Sequence, residues 1–134
     1  MQNVVFPPRS LRNWFLVHFW VDYALAVPLF LFPAQVLSLL NWGSVDLAAT
    51  RLVAAALLAI GGVSLVSRNS GAETYKSLLA LKIIWSLAAI AGIVLTALTH
   101  GIPGAAWAVL ATFKFFASIW SYYYLLYARS RGHY

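Results

Sequence analysis

The chain reads as an all-α integral membrane protein, a four-helix antiparallel bundle with a short interfacial helix between its first and second spans. Three observations predict this class. Hydrophobic residues make up 63% of the 134 positions and charged residues only 9%, against about 25% charged in an average soluble domain. A soluble globule of this length could not hide that much apolar surface, so the bilayer is the solvent. Residues 14–32, 46–67, 74–98 and 105–127 each approach or exceed the roughly 20 mostly apolar residues that cross a hydrocarbon core. The Lys and Arg residues flanking these spans fall on one side of a four-span arrangement. At this length the whole chain, 1–134, is expected to be a single transmembrane domain.

Span 1 follows a polar, proline-containing arm, MQNVVFPPRSLRNW. The arm lacks the apolar h-region and small-residue cleavage site of a signal peptide, so the span is expected to be retained. Trp14 stands where an interfacial aromatic belongs. Pro28 removes a helical hydrogen bond and predicts a kink in the outer half. Pro33 then opens PAQVLSLLNWG, in which Gln35, Ser38 and Asn41 recur every third position opposite Val36, Leu37, Leu39 and Leu40. That pattern predicts a short interfacial helix closed by Gly43.

Span 2 begins near Asp46, a good N-terminal residue for the helix dipole. It is rich in small residues, and Ala55/Ala59 have the spacing that lets helices approach closely in lipid. Ser70 and Glu73 have capping-box spacing ahead of span 3. Ala88 and Gly92 repeat the small-residue pattern there, so spans 2 and 3 are expected to form a tight antiparallel hairpin. His100-Gly-Ile-Pro-Gly104 is the next turn. Span 4 ends in Trp120, Tyr122, Tyr123, Tyr124 and Tyr127, an aromatic belt at one interface.

Arg9, Arg12, Arg68, Lys76, Arg129 and Arg131 share one side of this arrangement, while loops 34–45 and 99–104 hold no Lys or Arg. The positive-inside rule then makes both termini cytoplasmic and the location the cytoplasmic membrane. The net charge of +6 flanks spans rather than lining a groove, which argues against a nucleic-acid partner. Without cysteine there are no disulfides, thiolate metal sites or cysteine catalysis.

Five ionisable residues inside or near the hydrocarbon are the candidate site: His18, Asp22, Arg51, Lys82 and Lys114. His18 and Asp22 are four apart and share a helical face. A lone acid at this depth costs roughly 2.5–3.5 kcal/mol on insertion scales, so Asp22 should face protein or water. His18 reads either as a proton relay or cofactor ligand, or as a satisfied interfacial histidine. Arg51, one turn below the outer end of span 2, can snorkel to lipid phosphates. Lys82 either snorkels or pairs with Asp22. Lys114, Ser118 and Ser121 share one stripe of span 4, which predicts an inward-facing Lys114 with Phe113 and Phe116 turned elsewhere. A metal is not expected, and no motif for phosphate or metallopeptidase chemistry occurs. Haem fits poorly, because His18, His100 and His133 fall at different depths.

The runs TRLVAAALLAIGGVSLVSR and LKIIWSLAAIAG, in spans 2 and 3, resemble the small four-helix bacterial membrane proteins of the DoxX-like group. In that group an Arg often opens the second span, as Arg51 does here, and small residues with Gly precede a basic turn, as Gly61 and Gly62 precede Arg68. The resemblance implies a four-helix membrane fold and an association with quinone-linked oxidation, and it carries over no catalytic residue. The expected function is a binding or accessory module for a lipid-like or quinone-like molecule, or for a respiratory membrane complex. A small proton-coupled transporter using Asp22 and a purely structural subunit stand as alternatives. An enzyme fits least well, since one intramembrane acid cannot supply a general acid and a general base. Besides the bilayer and a hydrophobic small molecule, a homo-oligomer or a larger complex remains open as partner.

Overall fold

A computed structural model describes residues 7–43 and 45–130, with the backbone alone for 128–130. The described residues are all-helical: α1 (Arg9–Leu31), α2 (Pro33–Leu39), α3 (Leu47–Val66), a 3-10 turn (Ser67–Asn69), α4 (Ala72–Thr99) and α5 (Gly104–Ser130). α1, α3 with its 3-10 extension, and α4 are long and apolar enough to cross a membrane. α5 has the length at 27 residues, but Lys114, Ser118, Ser121 and its tryptophans and tyrosines make it less apolar. The chain divides into two units, Met1–Gly71 and Ala72–Tyr134.

In the N-terminal unit α1 and α3 run antiparallel. At one end Arg12 Nε donates to the carbonyl of Arg68 and Arg12 Nη2 to Asn69 Oδ1, both at 3.0 Å. At the other end Arg51 Nε donates to the carbonyl of Phe30 at 3.2 Å. Phe30 lies in the last turn of α1, where carbonyls lack intrahelical donors and a cation suits the dipole. The buried residues of α1 recur at spacings of three and four along Leu11, Phe15, His18, Asp22, Ala26 and Leu29, with Phe19 buried beside His18. Those of α3 do the same at Ala54, Leu57, Gly61 and Ser64. Such spacing keeps one face of a helix turned to its partner.

Pro28 sits inside α1, which still continues to Leu31. α2 follows as the separate short helix that the pattern from Pro33 predicts, but Asn41 rather than Gly43 closes it. Asn41 has φ 54°, its amide donates to the carbonyl of Ser38, and the amide of Trp42 donates to that of Leu37. These are the paired bonds of a Schellman ending, which needs a left-handed residue just past the helix, and Asn tolerates that conformation. Leu37 packs with Leu29 and Ala54, and Val36 and Trp42 close over them. α3 starts as expected, with Asp46 Oδ1 accepting from the amides of Ala48 at 2.7 Å and Ala49 at 2.9 Å.

In the C-terminal unit α4 and α5 are antiparallel, with Trp85 edge-on to Phe113 and Lys82 over the ring of Trp120. Gly101, at φ 75°, turns the chain between them. The small-residue spacing does not mark the packed faces. Ala59, Ala88 and Gly92 are exposed, and a Cβ at Gly92 would meet nothing within 4 Å. α1 and α3 approach closely at Gly61 and Gly62. The aromatic end of α5 is divided between faces: Trp120 and Tyr123 are buried and Tyr122 is exposed, because consecutive helical residues point about 100° apart.

Candidate functional site

The site is built around the middle of α1. His18 and Asp22 lie on the buried stripe, one turn apart, with 7% and 6% of their surface exposed. His18 Nδ1 approaches Asp22 Oδ2 to 2.9 Å. That oxygen takes no well-aligned hydrogen bond, so the contact acts through charge and is an ion pair whenever the imidazole is protonated.

The wall opposite is backbone. A methyl group at Gly61 of α3 would stand 3.0 Å from Asp22 Cβ, 3.2 Å from Oδ2 and 3.2 Å from Tyr23 Cδ2. One at Gly62 would stand 3.0 Å from the hydroxyl of Tyr23. The acid therefore occupies the space that a side chain on α3 would need. Phe19 packs beside it against Tyr23, ring centroids 4.4 Å apart. Ser64, buried one turn beyond Gly61, turns its hydroxyl back to the carbonyl of Ile60 at 2.9 Å.

The other candidates lie on other helices. Lys82 is 2% exposed, which rules out snorkelling to an interface, and its ammonium stands 5.1 Å from the centre of the Trp120 ring. A desolvated cation gains from the negative face of an indole. Ser86 is buried one turn further along α4 on the same stripe as Tyr75, Leu79 and Lys82. Lys114 is exposed, contrary to the inward stripe expected of it, as is Ser118, whose hydroxyl donates to the carbonyl of Lys114. The inward side of α5 holds Phe116 and Trp120 instead, stacked 5.7 Å apart. Bulky aromatics fill this face, and the polar stripe falls outside it. Arg51 is exposed and holds the end of α1. His100 is exposed beside Thr99, and His133 lies outside the described residues.

Gly61, Ser64, Ser86 and Trp120 were not singled out as site residues from the sequence. The signal that finds them is the three-and-four spacing of the buried stripes: those of α1, α3 and α4 turn polar partway along, and that of α5 stays aromatic. Among the described residues no three His, Cys, Asp or Glu side chains gather as a metal site. A cavity of about 430 Å³ lies at the α2–α3 connection, lined by Leu37, Ser38, Asn41 and Trp42 among others, with no ionisable side chain. No protein-family model matches the chain, and neither does any curated protein or solved structure.

Proposed function

We propose that the chain is a four-helix antiparallel protein of the bacterial cytoplasmic membrane, DoxX-like in type and with both termini cytoplasmic. Its role is that of a binding or accessory module for a quinone-like or lipid-like molecule. The observation that carries this reading is the buried contact between His18 and Asp22 in a helix apolar enough to span a membrane. An ionisable pair at that depth is costly and marks a functional site by default. Imidazole and carboxyl together can donate to or accept from a ligand carbonyl or hydroxyl, and a proton can move from one to the other while the pair as a whole stays neutral.

The same contact favours a second reading, a small proton-coupled transporter in which Asp22 carries the proton. A purely structural subunit of a larger membrane complex is the third. Native mass spectrometry of the protein released from its own membrane separates them. The binding module should keep a quinone-like or neutral lipid molecule, several-fold less of it in Asp22→Asn. A retained partner subunit with no small ligand would favour the structural role. An empty chain that moves protons with a substrate in vesicles would favour transport.

A further inference from the structure

We infer that the cavity at the α2–α3 connection is a binding site for the sugar headgroup of a neutral glycolipid. α2 and the turn after it join the end of α1 to the start of α3, and both long helices are apolar enough to span a membrane. The cavity therefore stands at one end of the α1–α3 pair, at the depth where lipid headgroups lie. Its volume, about 430 Å³, falls within the roughly 300–1,000 Å³ of small-molecule sites. Its polar lining comes from the hydroxyl of Ser38, the carboxamide of Asn41 and the indole of Trp42. The local fold holds these groups in place. The amides of Asn41 and Trp42 donate to the carbonyls of Ser38 and Leu37, and Trp42 packs against the cluster of Leu29, Leu37 and Ala54.

The chemistry of this lining selects the ligand. A hydroxyl and a carboxamide each donate and accept, and an indole N–H donates; the hydroxyls of a sugar likewise do both. No charged side chain lines the cavity. Asp46, the next acid along the chain, uses Oδ1 to accept from the amides of Ala48 and Ala49, and Arg51 Nε donates to the carbonyl of Phe30. A phosphate or ammonium group would lose water here without gaining a counter-charge, and a ligand carbonyl would use the donors alone. The indole also offers an apolar ring, on which the C–H face of a pyranose can pack. Val45 and Leu47 line the same cavity and are exposed. An apolar surface thus continues outward from the polar groups and suits the acyl part of an amphiphile. This inference rests on the reading of the chain as membrane-spanning and uses no residue of the His18–Asp22 site.

The test uses the full chain in phosphatidylcholine nanodiscs that also hold glucosyl-diacylglycerol, diacylglycerol or phosphatidylglycerol, and native mass spectrometry to read which lipids stay bound. Wild type should retain glucosyl-diacylglycerol in preference to the others. Ser38→Ala and Asn41→Gly should each lower that retention roughly fivefold, the effect of one neutral hydrogen bond. Both changes are mild for the fold. Ser38 is exposed, and glycine adopts the left-handed conformation of Asn41, φ 54°, without strain. Ala34→Leu, which adds bulk to the cavity wall at an exposed position, should abolish the preference while thermal unfolding shows the variant still folded. Equal retention of diacylglycerol or phosphatidylglycerol by wild type would overturn the proposal, as would glucosyl-diacylglycerol retention unchanged in all three variants. Methyl glucoside added to pure phosphatidylcholine discs supplies the sugar without acyl chains, and binding as strong as that of the glycolipid would also overturn it. The molecule held at the His18–Asp22 site is lost in Asp22→Asn and not in these three variants, so failure here and failure of the module reading are distinct.

Discussion

At the scale of single residues, the two glycines that look alike in sequence behave oppositely. Gly61→Ala places a methyl 3.0 Å from Asp22 Cβ, inside normal contact distance and against a side chain held on the buried stripe. It should destabilise the protein by about 1–3 kcal/mol, the usual effect of overpacking. Gly92→Ala meets nothing and replaces a helix-interior glycine, so it should be neutral or stabilising by up to about 1 kcal/mol. Thermal unfolding of both variants in one detergent checks the pair, and equal melting temperatures would count against the α1–α3 contact. The choice between these glycines was not legible beforehand. In lipid an apolar residue is at home on either side of a helix, so hydrophobicity does not say which face meets protein. Lys114 is exposed for the related reason that a polar stripe need not face inward when aromatic side chains such as Phe116 and Trp120 already fill that side.

At the scale of elements, helix ends were legible where a residue has a backbone reason to be there. Pro33 opens α2, Asp46 caps α3, and Gly101 with Pro103 separates α4 from α5. The end of α2 is not legible in the same way, because Asn41 also fits the polar row of Gln35 and Ser38 and only its φ of 54° marks it as the left-handed residue. Asn41 gives a direct check. Asn41→Gly should preserve or slightly raise stability, since glycine adopts that conformation without strain. Asn41→Val should cost about 1–2 kcal/mol, the penalty for a Cβ in left-handed geometry. Chemical denaturation of the two variants measures the difference. Identical midpoints would mean that the turn is not held as described.

At the scale of the whole molecule, the open quantity is whether α5 crosses the bilayer as α1, α3 and α4 can. Reporter fusions at Gly43, Asn69, Gly104 and Tyr134 should report out, in, out, in if it does; Tyr134 itself lies outside the described residues. A Tyr134 fusion on the same side as Gly104 would leave three spans and place the two termini on opposite faces. α5 differs from those three in carrying an exposed lysine, Lys114, near its middle. The Arg12 clamp has a further consequence, for the order of synthesis. Its last acceptor is Asn69, so every residue that locks α1 to α3 has been translated before α4 is made. Domains formed early during synthesis can assemble as units while the rest of the chain is still to come. The N-terminal pair can thus enter the membrane as a finished hairpin, its ionisable pair already covered by Gly61, before the second pair emerges from the ribosome.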